Sequence, residues 1–279
     1  MEQLLYGAPV AKQLDEISFK TFQDFRSNNK IPHMTAITVG NNQASLLYVS
    51  RKKEKAEILG VEFDWHKLDE NTSQEDLNEL IQKESKTTDG LIVQLPLPEH
   101  LITEDVINCI PPEVDVDGLT SYNLGNLFSS EYKLIPATSL AVLELLNHYQ
   151  IKTEDKNVVI AGRSRLVSSP LAKILSSNSY NANVTVIHSK TSNQKQFTLR
   201  ADIFISAVGS AKLYDSTYFK QGATIIDIGI STIDGKTYGD VDTKDLSHVI
   251  SNRAPYPGGV GPITVSALFF NLSRLLKTN

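Results

Sequence analysis

Apolar residues recur along this chain with two alternating periods. Val10, Leu14, Ile17, Phe22 and Phe25 fall near helical spacing, and residues 34–39 that follow read as a strand. The pattern then repeats as a helix over 44–59, a strand over 61–68, and a helix carrying Leu77, Leu80 and Ile81. Ser73 with Asp76 reads as the capping box of that helix, because the pair can satisfy backbone N–H groups at a helix start. Residues 90–95 (GLIVQL) form a short buried-type strand stopped by Pro96.

A second series follows: strands 157–161 (NVVIA), 183–188 (NVTVIH), 202–208 (DIFISAV) and 223–230 (ATIIDIGI), with a helix over 171–177. This alternation predicts an α/β fold of parallel, helix-covered sheet. Between the two series, residues 111–136 are rich in Pro, Gly, Asn and Ser and lose periodicity, so a second domain is expected to begin there. The expected division is an N-terminal α/β domain over 1–118, with 254–279 packing back on it through a last helix over 265–276. A Rossmann-type domain is expected over 119–253. A cleft between two domains is a usual place for a ligand.

With 279 residues, 41% hydrophobic and 21% charged, the chain is long enough for two domains. Its net charge is −5 and it has no dense Lys/Arg run, so nucleic acid is not an expected partner. No apolar run approaches the roughly 20 residues that span a bilayer. The opening MEQLLYGAPVAKQL lacks a signal peptide's basic start and long apolar core. The single cysteine, Cys109, excludes an internal disulfide and a multi-cysteine metal site. The six histidines show no H-x-x-x-H pair. The cytosol is the expected compartment, without a bound metal.

The stretch 254–264 (APYPGGVGPIT) holds three glycines and three prolines in eleven residues. Proline fixes φ and removes donors, while glycine admits φ > 0 and close approach of another molecule. Such a loop, ending at Thr264 as a helix N-cap, can hold a ligand or serve as a tight interdomain turn. Strand NVVIA leads into Gly162-Arg163-Ser164-Arg165-Leu166-Val167-Ser168-Ser169-Pro170 and a helix, the position of a dinucleotide phosphate turn. The full G-x-G-x-x-G pattern is absent, and an ordinary βα turn is the alternative. The next strand ends in His188-Ser189-Lys190-Thr191, with no acidic residue to hold a ribose 2′-hydroxyl. Arg163, Ser189 and Lys190 would suit a 2′-phosphate, and are otherwise solvated loop residues.

Tyr48 and Lys52 stand four residues apart on one helix face, either an aromatic-ligand site or a surface pair. Gln94 ends strand GLIVQL at the carboxyl edge, where α/β ligand sites form. Asp115-Val116-Asp117-Gly118 can present a carboxylate or make a turn, and lacks EF-hand spacing.

Together, SLLYVSRKKEKAEILGV, DGLIVQLPLP, PPEVDVDGLTSYNLGNL, GRSRLVSSP, HSKT, GDVD and APYPGGVGPIT resemble, in order, the bifunctional methylenetetrahydrofolate dehydrogenase/methenyltetrahydrofolate cyclohydrolase family. The resemblance runs from near Gly7 to the last helix. It implies a dimeric enzyme of folate one-carbon metabolism. Such an enzyme would oxidise methylenetetrahydrofolate with NADP and hydrolyse the methenyl product to formyltetrahydrofolate. It implies that Tyr48 stacks on the aminobenzoyl ring, Lys52 is the central catalytic group, Gln94 orients Lys52, and Asp117 anchors the pterin. It implies that the loop with Pro255, Gly258, Gly259 and Pro262 lines the folate side. Gly162, Arg163, Ser164 and Ser189 would serve the cofactor, with Lys190 and Ile230 completing that set.

Three departures from the family pattern stand out. Pro136-Ala137-Thr138-Ser139 replaces P-C-T-P, Ser168 stands where glycine is usual, and Tyr256 stands where valine is usual. Ser168 would either crowd the pyrophosphate or the strand–helix packing, or donate a hydrogen bond to phosphate. A cyclohydrolase with impaired dehydrogenase, or a non-catalytic folate- or nucleotide-binding regulator, are the rival readings.

Overall fold

The structure is a computed structural model that describes residues 2–129 and 132–278. In chain order its elements begin with β1 (Gln3–Leu4), α1 (Gly7–Ser27), β2 (His33–Val39), α2 (Gln43–Leu59), β3 (Glu62–Leu68), α3 (Gln74–Glu84) and β4 (Gly90–Val93). There follow α4 (Thr103–Asn108), α5 (Ser121–Ser129), α6 (Ala137–His148), β5 (Asn157–Ala161), α7 (Ser168–Leu175) and β6 (Asn183–Ile187). Then come α8 (Lys195–Thr198), β7 (Ile203–Ser206), β8 (Ala223–Asp227), β9 (Ser231–Ile233), β10 (Lys236–Tyr238), β11 (Ile250–Ala254) and α9 (Val260–Thr278). The chain forms two compact units, one of Lys12–Ala137 with the chain from Val265 onward, the other of the segment ending at Ala11 with Thr138–Thr264.

The first unit holds a three-stranded parallel sheet in the order β3-β2-β4. Its buried apolar side chains include Ile37, Leu77, Ile81, Leu91 and Val106. The capping box forms: the Asp76 N–H donates to Ser73 Oγ at 3.1 Å, and the Ser73 hydroxyl donates to the Asp76 carboxylate at 2.7 Å. Helix α2 starts at Asn42, whose side chain accepts from the Ser45 N–H at 3.0 Å. It stops at Gly60, where φ is +66° and the Arg26 guanidinium fills the space of a Cβ. Arg26 also donates to the carbonyls of Leu59 and Gly60. Helix α2 is thus fixed at both ends.

The second unit holds a six-stranded sheet, β1-β11-β8-β7-β5-β6, parallel throughout. Val159, Phe204, Tyr214, Phe219 and Ile225 lie in its core. Strand β5 pairs with β6 on one side and β7 on the other, so the strand order reverses there. Beyond β8, the β9–β10 hairpin turns at Asp234 and Gly235, both with positive φ.

The units divide at other positions than the expected ranges. Strand β1 pairs with β11 and the Leu5 N–H donates to the Arg253 carbonyl at 2.8 Å, which places the N-terminal strand in the larger sheet. Residues 119–137 group with the first unit. There the Asn271 side-chain amide donates to the carbonyls of Val116 at 2.8 Å and Ile135 at 2.9 Å. The stretch where periodicity fades contains α5, which buries only Asn123 and Leu127 and so leaves little apolar signal. Helix α9 begins at Val260, inside the Pro-Gly loop, because Pro262 falls in a first turn that needs no N–H from it. Thr264 is therefore not the N-cap, and its hydroxyl bonds back to the Val260 carbonyl at 3.3 Å.

Candidate active site

The buried stripe of α2 runs Ser45, Val49, Lys52, Ala56, Leu59, the spacing of one helical face. A lysine in the middle of it is costly unless its amine is satisfied. Lys52 is only 7% exposed, and its Nζ donates to Gln94 Oε1 at 2.8 Å. Gln94 follows β4, with its N–H on the Ile37 carbonyl at 2.9 Å. Its Nε2 donates to the Leu95 carbonyl at 2.7 Å, which turns Oε1 towards Lys52. Burial pushes the Lys52 amine below the ordinary lysine range, and the charge of Asp117 offsets part of that shift. Burial pushes the Asp117 carboxyl up, with Lys52 opposing and Asp115 adding to the rise. Tyr48 lies one turn before Lys52, half-buried, with the Arg51 guanidinium 5.9 Å from its ring centre. An amine of lowered proton affinity, a fixed amide and a carboxyl group can together hold a polar heterocycle and move protons.

Two residues of this site escape sequence reasoning. The Asp115 carboxylate is 1% exposed. It accepts from the N–H groups of Gly118 at 2.9 Å, Leu119 at 3.2 Å and Thr120 at 2.9 Å, and from the Asn123 amide at 2.9 Å. It shapes the loop that carries Asp117. Asn271 pins the Val116 carbonyl next to it. The signals were an Asp three residues before a Gly, and a lone Asn inside the apolar α9.

In the other unit, Gly162 follows β5 with φ +115° and its N–H on the Ile187 carbonyl at 2.9 Å. A Cβ there would lie 2.6 Å from the Ala207 carbonyl oxygen and 2.9 Å from Ser168 Oγ. The turn therefore admits glycine alone, at the point of strand-order reversal where open α/β sheets bind ligands. Ser164 Oγ accepts from the N–H groups of Val167 at 3.2 Å and Ser168 at 3.4 Å, holding the start of α7. Arg163, Ser164, Ser189 and Lys190 are exposed, and Ile230 is partly so at 38%. The His188 N–H on Thr191 Oγ1 at 3.0 Å and the Lys190 N–H on His188 Nδ1 at 3.2 Å close the turn that presents Ser189 and Lys190. A glycine cradle, a helix start and exposed cations fit a dinucleotide phosphate.

The Pro-Gly loop lies in the same compact unit as this turn. Pro255 and Gly259 are buried, Gly258 is half-buried and Pro262 is exposed. The Gly7 N–H donates to the Gly258 carbonyl at 2.8 Å, and a Cβ on Gly7 would strike the Gly259 carbonyl oxygen at 1.9 Å. Among the described residues, no group of His, Cys, Asp or Glu is placed to hold a metal ion, and no helix is long and apolar enough to cross a membrane.

Ser168 is fully buried, and its hydroxyl has no hydrogen-bond partner. Its Oγ would lie 2.9 Å from a Cβ on Gly162, and its lack of exposure weighs against a role as phosphate ligand. An unpaired buried hydroxyl costs about 1–3 kcal/mol. Ser168→Ala is therefore expected to raise the melting temperature by roughly 2–4 °C per kcal/mol recovered. Thermal denaturation checks this, and a lowered Tm would mean that the hydroxyl is paired in solution.

A parallel sheet with a glycine turn at its strand-order reversal, in a chain whose other compact unit carries a buried amine, defines the class of α/β nucleotide-binding enzymes. Residues 5–117 match the tetrahydrofolate dehydrogenase/cyclohydrolase catalytic domain, and residues 136–279 match the NAD(P)-binding domain of the same family. The chain is 38% identical to the bifunctional protein FolD of Lactobacillus helveticus over 279 residues, covering 99% of this chain and 98% of that one. The bifunctional methylenetetrahydrofolate dehydrogenase/cyclohydrolase FolD of Campylobacter jejuni has a similar crystal structure, with a TM-score of 0.94 and 34% identity over 100% of this chain and 99% of that one. The Trypanosoma brucei dehydrogenase-cyclohydrolase, solved with NADP and an inhibitor, gives a TM-score of 0.93 and 30% identity over 99% and 98%. This chain belongs to the tetrahydrofolate dehydrogenase/cyclohydrolase family.

Proposed function

We propose that this protein oxidises methylenetetrahydrofolate to methenyltetrahydrofolate with NADP and hydrolyses the product to formyltetrahydrofolate. The observation that carries this reading is Lys52, buried on α2 and held at 2.8 Å by Gln94 Oε1 with Asp117 acting on its charge. When bound, NADP accepts the hydride from the methylene carbon. The substrate becomes a delocalised amidinium cation. A fixed positive charge beside it would raise its energy, and burial lowers the proton affinity of Lys52. In hydrolysis, water adds to the amidinium carbon and loses a proton, the ring C–N bond breaks, and the leaving nitrogen gains a proton. Lys52 serves both transfers, Gln94 orients its amine, Asp117 anchors the pterin and Tyr48 stacks on the aminobenzoyl ring. Pro255, Gly258, Gly259 and Pro262 line the folate side.

Gly162, Arg163, Ser164, Ser189, Lys190 and Ile230 hold the cofactor. The inward-facing Ser168 supports an intact cofactor turn and weighs against a cyclohydrolase that has lost its dehydrogenase. The family likeness also carries the expectation of a homodimer in the cytosol, which sedimentation and fractionation would check. An absorbance assay with methylenetetrahydrofolate and NADP or NAD, following methenyl and reduced cofactor separately, tests the function. Failure to hydrolyse methenyltetrahydrofolate faster than buffer would sink the hydrolase half. Arg163→Ala is expected to raise the KM for NADP more than that for NAD, and equal effects would mean that Arg163 does not read the 2′-phosphate.

A further inference from the structure

The GDVD motif has no part in the site described so far. Asp240 within it is fully buried. Its carboxylate accepts from the Ser206 hydroxyl at 2.6 Å and the Val208 N–H at 2.8 Å through Oδ2, and from the Ser210 N–H at 2.7 Å through Oδ1. All three donors come from the segment that leaves β7. Val208, Gly209 and Ser210 are themselves exposed, so Asp240 is their anchor on the buried side. Asp227, at the end of β8, returns the arrangement. Its carboxylate accepts from the Asp240 N–H at 3.0 Å and the Val241 N–H at 2.9 Å.

Two glycines make room for this. A Cβ on Gly229 would lie 2.0 Å from the Asp240 carboxylate, and one on Gly239 would lie 2.1 Å from that of Asp227. Neither glycine has positive φ, so backbone freedom is not why they are glycine. The space is. The segment held this way begins at Ala207, whose carbonyl oxygen faces Gly162 across the point of strand-order reversal.

We propose that Asp240 and Asp227, each seated where a glycine of the other's segment lacks a side chain, form a reciprocal clasp that positions Val208–Ser210 as one wall of the cofactor crevice. This rests on the NADP reading above. The two aspartates are positioning residues and do not touch the cofactor. Burial is the main reason that the Asp227 carboxyl is pushed up to about 7; backbone N–H donors oppose this and the charge of Asp240 adds to it. Asp227 thus sits where burial disfavours its charged form.

Gly229→Ala tests the clasp by volume alone, since it adds one methyl against Asp240 and changes no charge. Asp240→Asn tests it by replacing an acceptor with an amide. Ser206→Ala, which removes one donor, serves if either variant fails to fold. In each, amide hydrogen exchange at Val208 and Ser210 is expected to quicken roughly tenfold or more, as local opening no longer has to break the Asp240 bonds. The NADP dissociation constant is expected to rise about tenfold, the scale of one lost charge-assisted hydrogen bond. Hydrolysis of methenyltetrahydrofolate should stay within about twofold, as expected of sites without shared partners. Unchanged exchange at both amides overturns the clasp. Faster exchange with unchanged NADP affinity overturns its role in the crevice. If the parent protein does not bind NADP at all, the functional reading falls, and exchange alone still decides whether the clasp holds the segment.

Discussion

Lys52→Met is expected to abolish hydrolysis of methenyltetrahydrofolate, with a loss of roughly 100-fold or more, the usual contribution of a general acid–base group. Methionine keeps most of the unbranched stem that fills the α2 stripe between Val49 and Ala56. It deletes only the amine that donates to Gln94 at 2.8 Å. Tyr48 and Asp117 are untouched, so the folate should still bind. The loss should fall on kcat, because proton transfer is needed after water adds and not for binding. Decay of methenyl absorbance, alongside a binding titration, separates the two. Near-normal hydrolysis by the variant would show that another group does the work.

Gly162→Ala should strike the other half of the enzyme. At φ +115° an L side chain is strained, and the new Cβ would meet the Ala207 carbonyl oxygen at 2.6 Å. That oxygen belongs to a segment tied down at Ser206, Val208 and Ser210, so it cannot easily give way. Backbone strain of this kind costs of order 1–3 kcal/mol, which corresponds to roughly one to two decades in NADP affinity if the turn moves to relieve it. Hydrolysis should persist, since Lys52, Gln94 and Asp117 lie in the other compact unit. Isothermal titration with NADP measures the effect, and unchanged binding would place the cofactor elsewhere.

Alternation of strand and helix patterns carried the α/β class: β4 and β5 are short apolar runs, and helices such as α3 keep a 3.6-residue apolar stripe. The capping box at Ser73 was legible because it is made by residues three apart. The glycine at 162 was legible from its place after an apolar strand, and the family from the order of its motifs. What the sequence could not decide were contacts made across long separations. Strand β1 is two residues long and has no pattern of its own; pairing with β11, some 250 residues away, makes it a strand. The grouping of 119–137 with the first unit depends on bonds from Asn271, a residue that in sequence is only a polar interruption of α9. Asp115 and Asp117 are two apart and chemically identical. Only the fold turns the first onto three N–H groups of its own loop and the Asn123 amide of α5, and leaves the second to Lys52. Local order follows from neighbours along the chain, so the sequence determined the elements and the chemistry at hand. Burial and partner choice follow from residues far apart, so only the tertiary structure decided which lysine binds its proton less tightly and which carboxylate merely holds a loop.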